Sequence, residues 1–251
     1  MPGLFKWPLN IRAVSITCTF TAFFSLYLPS TQAALTLSGT RVVFNGEKRN
    51  VSLTISNPSD KAFAVQSWVN TVTDDQTTAV PFIVSPPLFR LNANKEQQIQ
   101  INGLPNALPR DRESLFYLNV QEIPQIQTTE ANQLNIALRT RIKFFYRPQE
   151  LKDNPVDRLK DLSWSLQKER NQIYLLASNP SPFHVSFIRI EVISNGQVVV
   201  LDNTAMLSPL SSQRYNLRGV KPTQGMQVTF SAITDYGGFT QPITLPVSSG
   251  F

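Results

Sequence analysis

The sequence predicts an all-β fold with two β-sandwiches in tandem. Its 251 residues include 18 Pro and 16 Phe together with many Val, Ile and Thr, a composition that favours short strands and turns over helices. Short alternating runs recur at roughly ten-residue spacing, as in antiparallel sandwiches. Two series of such runs are separated by a charged stretch with little apolar periodicity, which indicates two domains.

The first 33 residues are predicted to be an export signal. Two basic residues precede an apolar run over 13–28, and the small residues Thr31 and Ala33 fit a signal-peptidase site, so we expect cleavage after Ala33. A membrane anchor is the competing interpretation. The run is short for a membrane span and ends at Pro29, which favours the signal.

Few residues are available for catalysis or for metal binding. The single cysteine, Cys18, lies in the predicted signal, so the exported chain has no disulfide. His184 is the only histidine and lacks a neighbouring nucleophile motif, which favours a structural role over a catalytic one. Asp74 and Asp75 could contact calcium, but paired carboxylates in a polar loop are usually just solvated.

The first series of strands occupies the predicted domain 34–148. Pro86-Pro87 forbids a central strand and predicts a crossing between sheets at an edge, and Trp68 is expected in the core. The count of about seven matches an immunoglobulin-like sandwich. The predicted strands are 35–44, 50–55, 63–69, 81–91, 97–101, 115–123 and 134–146.

The second series begins after a predicted linker at 149–162, which carries charge and two prolines. It occupies 163–251 and again contains about seven runs, so we expect a second immunoglobulin-like sandwich. The predicted strands are 163–167, 172–177, 184–194, 198–201, 212–217, 227–234 and 240–247.

The stretch from Leu134 to Tyr146 has an almost unbroken period of two. Its even positions are mostly apolar and its odd positions largely basic, so it reads as one β-strand with two different faces. At about 3.3 Å per residue it would span roughly 43 Å, more than twice a usual strand. Part of the apolar face is therefore expected to be free to pair with another chain. An ordinary long core strand is the alternative that the pattern leaves open.

Two cations, Arg41 and Lys143, lie among apolar strand residues. Long cationic side chains at such positions are most often surface residues that reach into solvent. If both side chains met in one cleft they would form a receptor for a carboxylate. The net charge of +6 does not by itself indicate nucleic-acid binding, because the basic residues are interleaved with acidic ones.

Four segments together resemble the PapD-like periplasmic chaperones of the chaperone-usher pathway, which assemble pili on Gram-negative bacteria. They follow the family's order and spacing, and the similarity covers nearly all of the exported chain. The resemblance implies two immunoglobulin-like domains set at an angle, with a cleft between them, in a periplasmic protein that needs no nucleotide or other cofactor. The segments are 40–44, 111–117, 142–148 and 235–238.

The resemblance also implies a subunit-binding site. Arg41 and Lys143 match the family's pair that holds the C-terminal carboxylate of a pilus subunit. Leu134, Ile136 and Leu138 match the alternating residues of the strand that is lent to a subunit lacking its own last strand.

By the same resemblance, Glu113, Arg147 and Asp235 match a charged trio that bridges the two domains internally; without the family, they would be interpreted as separate surface charges. Some members carry a disulfide in the second domain, which this chain cannot form. The short connection before Leu134 resembles the short-loop branch, usually associated with rod-like pili and fimbriae.

The implied partners are pilus or fimbrial subunits lacking their last strand and an outer-membrane usher. Nucleic acid is not expected as a partner, nor is stable insertion into a membrane, and the edge strand leaves room for weak self-association. The alternative function is that of a secreted two-domain adhesin or binding module. A hydrolase is not supported, because no acid-base constellation is present.

Overall fold

The computed structural model describes residues 35–75, 77–124, 137–170, 172–217, 220 and 222–249. These residues fold into sixteen β-strands and one 3-10 helix, η1, at Asp157–Asp161. No helix in this part of the chain is long and apolar enough to cross a membrane. The all-β prediction is confirmed.

The N-terminal sandwich consists of a four-stranded sheet, in the order β1-β3-β7-β5, and a five-stranded sheet, in the order β2-β9-β8-β4-β6. Alternate residues of both sheets point inward and form one core, in which Ile55, Ile99, Leu118 and Phe144 are completely buried. The strands are β1 Thr36–Leu37, β2 Arg41–Asn45, β3 Asn50–Asn57, β4 Phe63–Asn70, β5 Phe82–Ser85, β6 Leu88–Leu91, β7 Lys95–Gly103, β8 Ser114–Pro124 and β9 Arg139–Arg147.

This sandwich has nine described strands where the sequence predicts about seven, because two predicted strands each divide between the sheets. The run 35–44 becomes β1 in one sheet and β2 in the other. The run 81–91 becomes β5 and β6, which are edge strands of opposite sheets. The chain passes between them at Pro86-Pro87, so the predicted edge crossing is confirmed.

The C-terminal sandwich contains seven strands in the order β13-β12-β15-β16-β10-β11-β14. Strand β16 pairs in parallel with β10 and antiparallel with β15, and thereby joins the two halves. Trp164, Tyr215 and Phe230 are among the largest buried side chains of its core. The strands are β10 Ser163–Glu169, β11 Gln172–Asn179, β12 Phe187–Ser194, β13 Gln197–Val200, β14 Ser211–Asn216, β15 Gln227–Ala232 and β16 Ile243–Ser248.

The segment 149–162, predicted as a linker, contains η1. Leu159 and Leu162 are buried in the C-terminal core. Leu159 lies in η1, and Leu162 is the extended C-cap residue that follows it. The entry to the second sandwich therefore contributes to its core.

Candidate functional site

Strand β9 lies inside the five-stranded sheet but has two neighbours along only part of its length. It pairs in parallel with β2 from Lys143 to Arg147, and antiparallel with β8 from Arg139 to Tyr146. Since β2 begins at Arg41, no described strand pairs with residues 139–142 on that side. We call this side of residues 139–142 the free edge. It presents backbone groups that can pair with another chain.

The inward face of β9 is covered for only part of its length. Phe144 is completely buried, and Ile142 and Tyr146 pack against the N-terminal core. Thr140 is exposed, and Leu138, just before the strand, is 48% exposed. The row of alternating residues thus leaves the sandwich at the free edge.

The predicted thirteen-residue strand is longer than the described one. Leu138 is not part of β9, although its carbonyl still accepts a hydrogen bond of 3.0 Å from the amide of Glu122 on β8. The ladder with β8 ends at Arg139, so the regular strand ends there too. Leu134 and Ile136 lie outside the described residues.

The outward face of β9 turns toward the C-terminal sandwich. Lys143 and Arg41 are direct partners in the parallel register, so the structure brings the two cations side by side. The Lys143 Nζ donates to Ser186 Oγ at 3.0 Å, and Arg41 Nη1 donates to the carbonyl of Ile233 at 3.2 Å. Both acceptors belong to the second sandwich. We call Arg41 and Lys143 the cation pair.

The surroundings of the cation pair disfavour its positive charge. Burial lowers the pKa of Arg41, an effect that the charges of Asp235 and Glu113 partly offset. Burial also lowers the pKa of Lys143, and the positive charge of Arg41 lowers it further. Neither cation forms an ion pair with a carboxylate of any described residue, and Arg41 Nε is buried with no hydrogen-bond partner in the same part of the chain. A bound carboxylate would relieve both the repulsion and the missing bond.

Glu113, Arg147 and Asp235 also come together, and we call them the charge trio. Arg147 makes a two-pronged contact with Asp235, with bonds of 2.7 and 3.0 Å, and donates from Nε to Glu113 Oε1 at 2.9 Å. Arg147 and Glu113 belong to the first sandwich and Asp235 to the second. The side chain of Glu113 is only 3% exposed, so its oxygens depend on these contacts for their hydrogen bonds.

His184 joins this cluster, a contact that the sequence does not predict. Glu113 Oε2 accepts a 2.8 Å hydrogen bond from the backbone amide of His184 and lies 3.2 Å from its Nδ1. The imidazole also packs against the ring of Phe145, with centroids 5.2 Å apart. Because 71 residues separate His184 from Glu113, no local pattern could have indicated the contact. These neighbours agree with the structural role expected for His184.

Asp74 is not merely solvated, as paired carboxylates in a polar loop usually are. Its carboxylate pairs with Arg139, and no group of three or more potential metal ligands occurs in the described part of the chain. Trp68 is not in the core as expected. It is half-buried on the outer face of its sheet, under the guanidinium of Arg139. The inward positions of β4 are instead those of Val65, Ser67 and Val69.

Two family-level sequence profiles match the chain. Residues 34–152 match the family described as pili and flagellar-assembly chaperone, PapD N-terminal domain. Residues 157–244 match the family described as pili assembly chaperone PapD, C-terminal domain. Together they cover nearly all of the described residues.

Individual proteins and structures agree with these profiles. The chain is 33% identical to the probable fimbrial chaperone YadV of Escherichia coli K12, over 91% of this chain and 96% of that protein. It is 34% identical to the chaperone protein FimB/FhaD of Bordetella pertussis, over 91% and 95%. The crystal structure of YadV superimposes with a TM-score of 0.74 at 32% identity, covering 85% of this chain and all of that one.

A further solved structure contains a partner: the Salmonella enterica SafA pilin in complex with the SafB chaperone. It superimposes with a TM-score of 0.72 at 27% identity and covers 87% of this chain and 98% of that chain.

Proposed function

Because the chain belongs to the PapD-like family of pilus-assembly chaperones, we propose that it binds pilus subunits through the free edge of β9 and the adjacent cation pair. Like its relatives, it is a chaperone and not an enzyme. The observation that carries the proposal is the combination of an exposed, pairing-competent strand edge with two half-buried cations that lack a carboxylate among the described residues.

The free edge would act by strand addition. A subunit that lacks its last strand has an open apolar groove and an unpaired edge, and both promote aggregation. The chaperone's backbone would pair with that edge while Leu138, with Leu134 and Ile136 before it, fills the groove. At about 1.5–3 kcal/mol for each buried side chain, the three residues would contribute roughly 5–9 kcal/mol before ordering costs.

The cation pair would fix the register of this pairing. A charge-assisted bond from Lys143 and Arg41 to the subunit's terminal carboxylate sets where its last residue lies. A slip by one residue would turn every alternating side chain of the strand to the opposite face, so Leu138 would leave the groove. The SafA pilin complex of a relative supports a pilus subunit as the ligand.

The charge trio would hold the two sandwiches in the orientation that forms the site, without contacting the subunit itself. This role is supported by the bonds of Arg147 to a carboxylate in each sandwich. The trio adjoins the cation pair, since Asp235 and Glu113 both act on the charge of Arg41.

Further proposals concern the chain's processing and partners. We propose periplasmic export with cleavage after Ala33, domains at 34–148 and 163–251 joined by 149–162, and delivery of subunits to an outer-membrane usher. The periplasm is supported by family membership. Weak self-association of the free protein through the edge of β9 is also proposed, since an exposed strand edge can pair with a second copy.

Replacing Leu138 with serine is expected to leave the free protein nearly as stable as wild type, because this side chain is already half exposed. Subunit binding is expected to weaken by about 1.5–3 kcal/mol, because that is the free energy gained when a leucine side chain is buried in the subunit's groove. Thermal unfolding and a subunit-binding titration measure the two effects. Phe144→Ala, on the same face but completely buried, is the control, and should cost about 3–5 kcal/mol in folding. A comparable loss of folding stability in Leu138→Ser would contradict the donor role.

The proposed function is tested by co-expression in the periplasm with a pilus subunit that lacks its last strand. We expect a one-to-one complex that purifies intact and a subunit that is degraded or aggregates when the chaperone is absent. Normal accumulation of soluble subunit without the chaperone, with no complex, would contradict the proposal and favour a secreted binding module.

A further inference from the structure

A cluster of polar and aromatic side chains packs on the outer face of the five-stranded sheet, beside the free edge. Its centre is Asp74, in the loop that follows β4. The carboxylate accepts a hydrogen bond from the guanidinium of Arg139, and Asp74 Oδ1 lies 3.8 Å from Arg141 Nε. Both arginines belong to the part of β9 that lacks a second strand neighbour.

Asp74 is fixed by a buried amide chain. Asn70 Nδ2 donates to Asp74 Oδ1 at 2.6 Å, and Asn119 Nδ2 donates to Asn70 Oδ1 at 2.9 Å. Asn70 and Asn119 are both buried, in strands β4 and β8, so their side chains are held by the sheet itself. The Asn119 and Asn70 amide groups thus form a chain of donors that ends at the Asp74 carboxylate, although Asn119 Oδ1 itself is buried without a partner among the described residues.

The loop around Asp74 is closed by its neighbour Asp75. The Asp75 carboxylate accepts hydrogen bonds from Thr71 Oγ1 at 2.7 Å and from the amide of Thr78 at 2.6 Å. These bonds, with one from Thr73 Oγ1, lower the pKa of Asp75 well below its usual range. The loop therefore gives Asp74 a fixed backbone position as well as a fixed side chain.

The two arginines are oriented by aromatic rings. Arg141 lies 3.8 Å above the ring centroid of Tyr117 and donates to the carbonyl of Thr71 at 2.8 Å. Arg139 lies 5.9 Å above the ring of Trp68. Cations over aromatic faces gain electrostatic attraction and lose little solvent contact. We call Asp74, Asn70, Arg139 and Arg141 the Asp74 clasp.

The clasp contacts the part of β9 that has fewer other contacts holding it in place. Over residues 139–142 the strand has one ladder instead of two, and its inward face is exposed at Thr140 and, just before the strand, at Leu138. Local stability depends on buried apolar contacts and paired backbone groups, and both are reduced here. The contacts of Asp74 on the outward face therefore add to the single ladder with β8 in holding these residues.

We propose that Asp74 is a positioning residue that keeps residues 139–142 extended, so that the free edge is ready for a subunit before one arrives. This inference rests on the proposed function. When only a fraction of molecules has the binding-competent conformation, the apparent Kd rises in inverse proportion to that fraction. Order supplied in advance by the clasp would thus raise affinity without any contact between Asp74 and the subunit.

The test compares wild type with Asp74→Asn. Asparagine tolerates the positive φ of 61° at this position and keeps the shape of the side chain, but it removes the charge and replaces one of the two acceptor oxygens with an N–H donor. In the free protein we expect roughly tenfold faster hydrogen exchange for those amides of residues 139–142 that bond to β8, with a melting temperature within a few degrees of wild type. Binding of a pilus subunit should weaken in inverse proportion to the fraction of molecules that keep these residues ordered, which the protection of the same amides measures.

Glu47→Gln is the matched control, because Glu47 forms an exposed ion pair with Lys152 in the same sandwich but beyond the opposite end of β9. It should change neither exchange at 139–142 nor subunit affinity. Arg139→Gln should reproduce the Asp74→Asn effects, and the double variant should add little to either.

Unchanged exchange at 139–142 in Asp74→Asn would overturn the inference, as would faster exchange with unchanged subunit affinity. Failure of the wild-type protein to bind the subunit would instead contradict the proposed function. The exchange measurement in the free protein would still decide whether the clasp orders the edge.

Discussion

Arg41→Ala and Lys143→Ala are each expected to weaken subunit binding by about 2–5 kcal/mol, the cost of removing one partner of a buried charge pair. This corresponds to at least roughly a thirtyfold rise in Kd. The effect is large because the two cations lie side by side and half-buried, in a site partly shielded from water. Each substitution would leave the subunit's terminal carboxylate with one charged donor fewer. Titration of purified variants with the subunit measures it.

The same substitutions should not unfold the free protein. Burial and then the charge of Arg41 already disfavour the charged form of Lys143, so Lys143→Met, which keeps the length of the side chain, should leave the melting temperature unchanged or raise it. A subunit whose C-terminus is extended by a few residues should bind wild type as weakly as the normal subunit binds the variants. Equal binding of the normal and extended subunits by wild type would show that the carboxylate is not recognised.

Arg147→Ala is expected to destabilise the protein by about 3 kcal/mol, near the lower limit for breaking a buried ion pair. The substitution leaves the Glu113 carboxylate buried and facing Asp235 with no cation between them. The backbone amide of His184 still donates to Glu113, which is why the loss should lie near the lower limit. For a protein of this size, the melting temperature should fall by roughly 6–12 °C.

Lys152→Ala is the control for Arg147→Ala. Its ion pair with Glu47 is exposed on both sides, so its removal should cost less than about 1 kcal/mol. The variant Asp235→Asn should fall between the two, since Asp235 is the more exposed carboxylate of the trio. A melting temperature for Arg147→Ala equal to that of Lys152→Ala would mean that the trio does not hold the sandwiches together.

The strands were predictable because a half-buried β-strand alternates apolar and polar residues, a pattern that can be seen within a short stretch of sequence. Period-two alternation places Ile142 and Phe144 on the core side and Lys143 and Phe145 on the opposite side, and the structure has them so. The divisions of 35–44 and 81–91 between sheets were harder to predict. Pro86-Pro87 marks one of them by removing ladder donors, whereas the passage from β1 to β2 contains no proline.

Contacts between distant segments were only partly predictable. The residue types of the charge trio could be recognised by resemblance, but nothing local connects Glu113 with His184, or Asp74 with Arg139, 65 residues away. Such pairs depend on strand order, because β4, β8 and β9 must lie side by side before Asp74 can reach β9. Alternation also could not show where β2 stops covering β9, since that depends on a register between strands far apart in the chain.

Hydrogen exchange of the protein with and without a bound subunit tests the central claim, that the free edge of β9 receives the subunit's strand. Strand β13, Gln197–Val200, is an internal control, because it is also an edge strand with exposed apolar side chains, Val198 and Val200. Strand addition at β9 predicts that residues 138–142 gain protection from exchange when the subunit binds. Exchange in β13 should not change. Protection at β13 and none at 138–142 would contradict it.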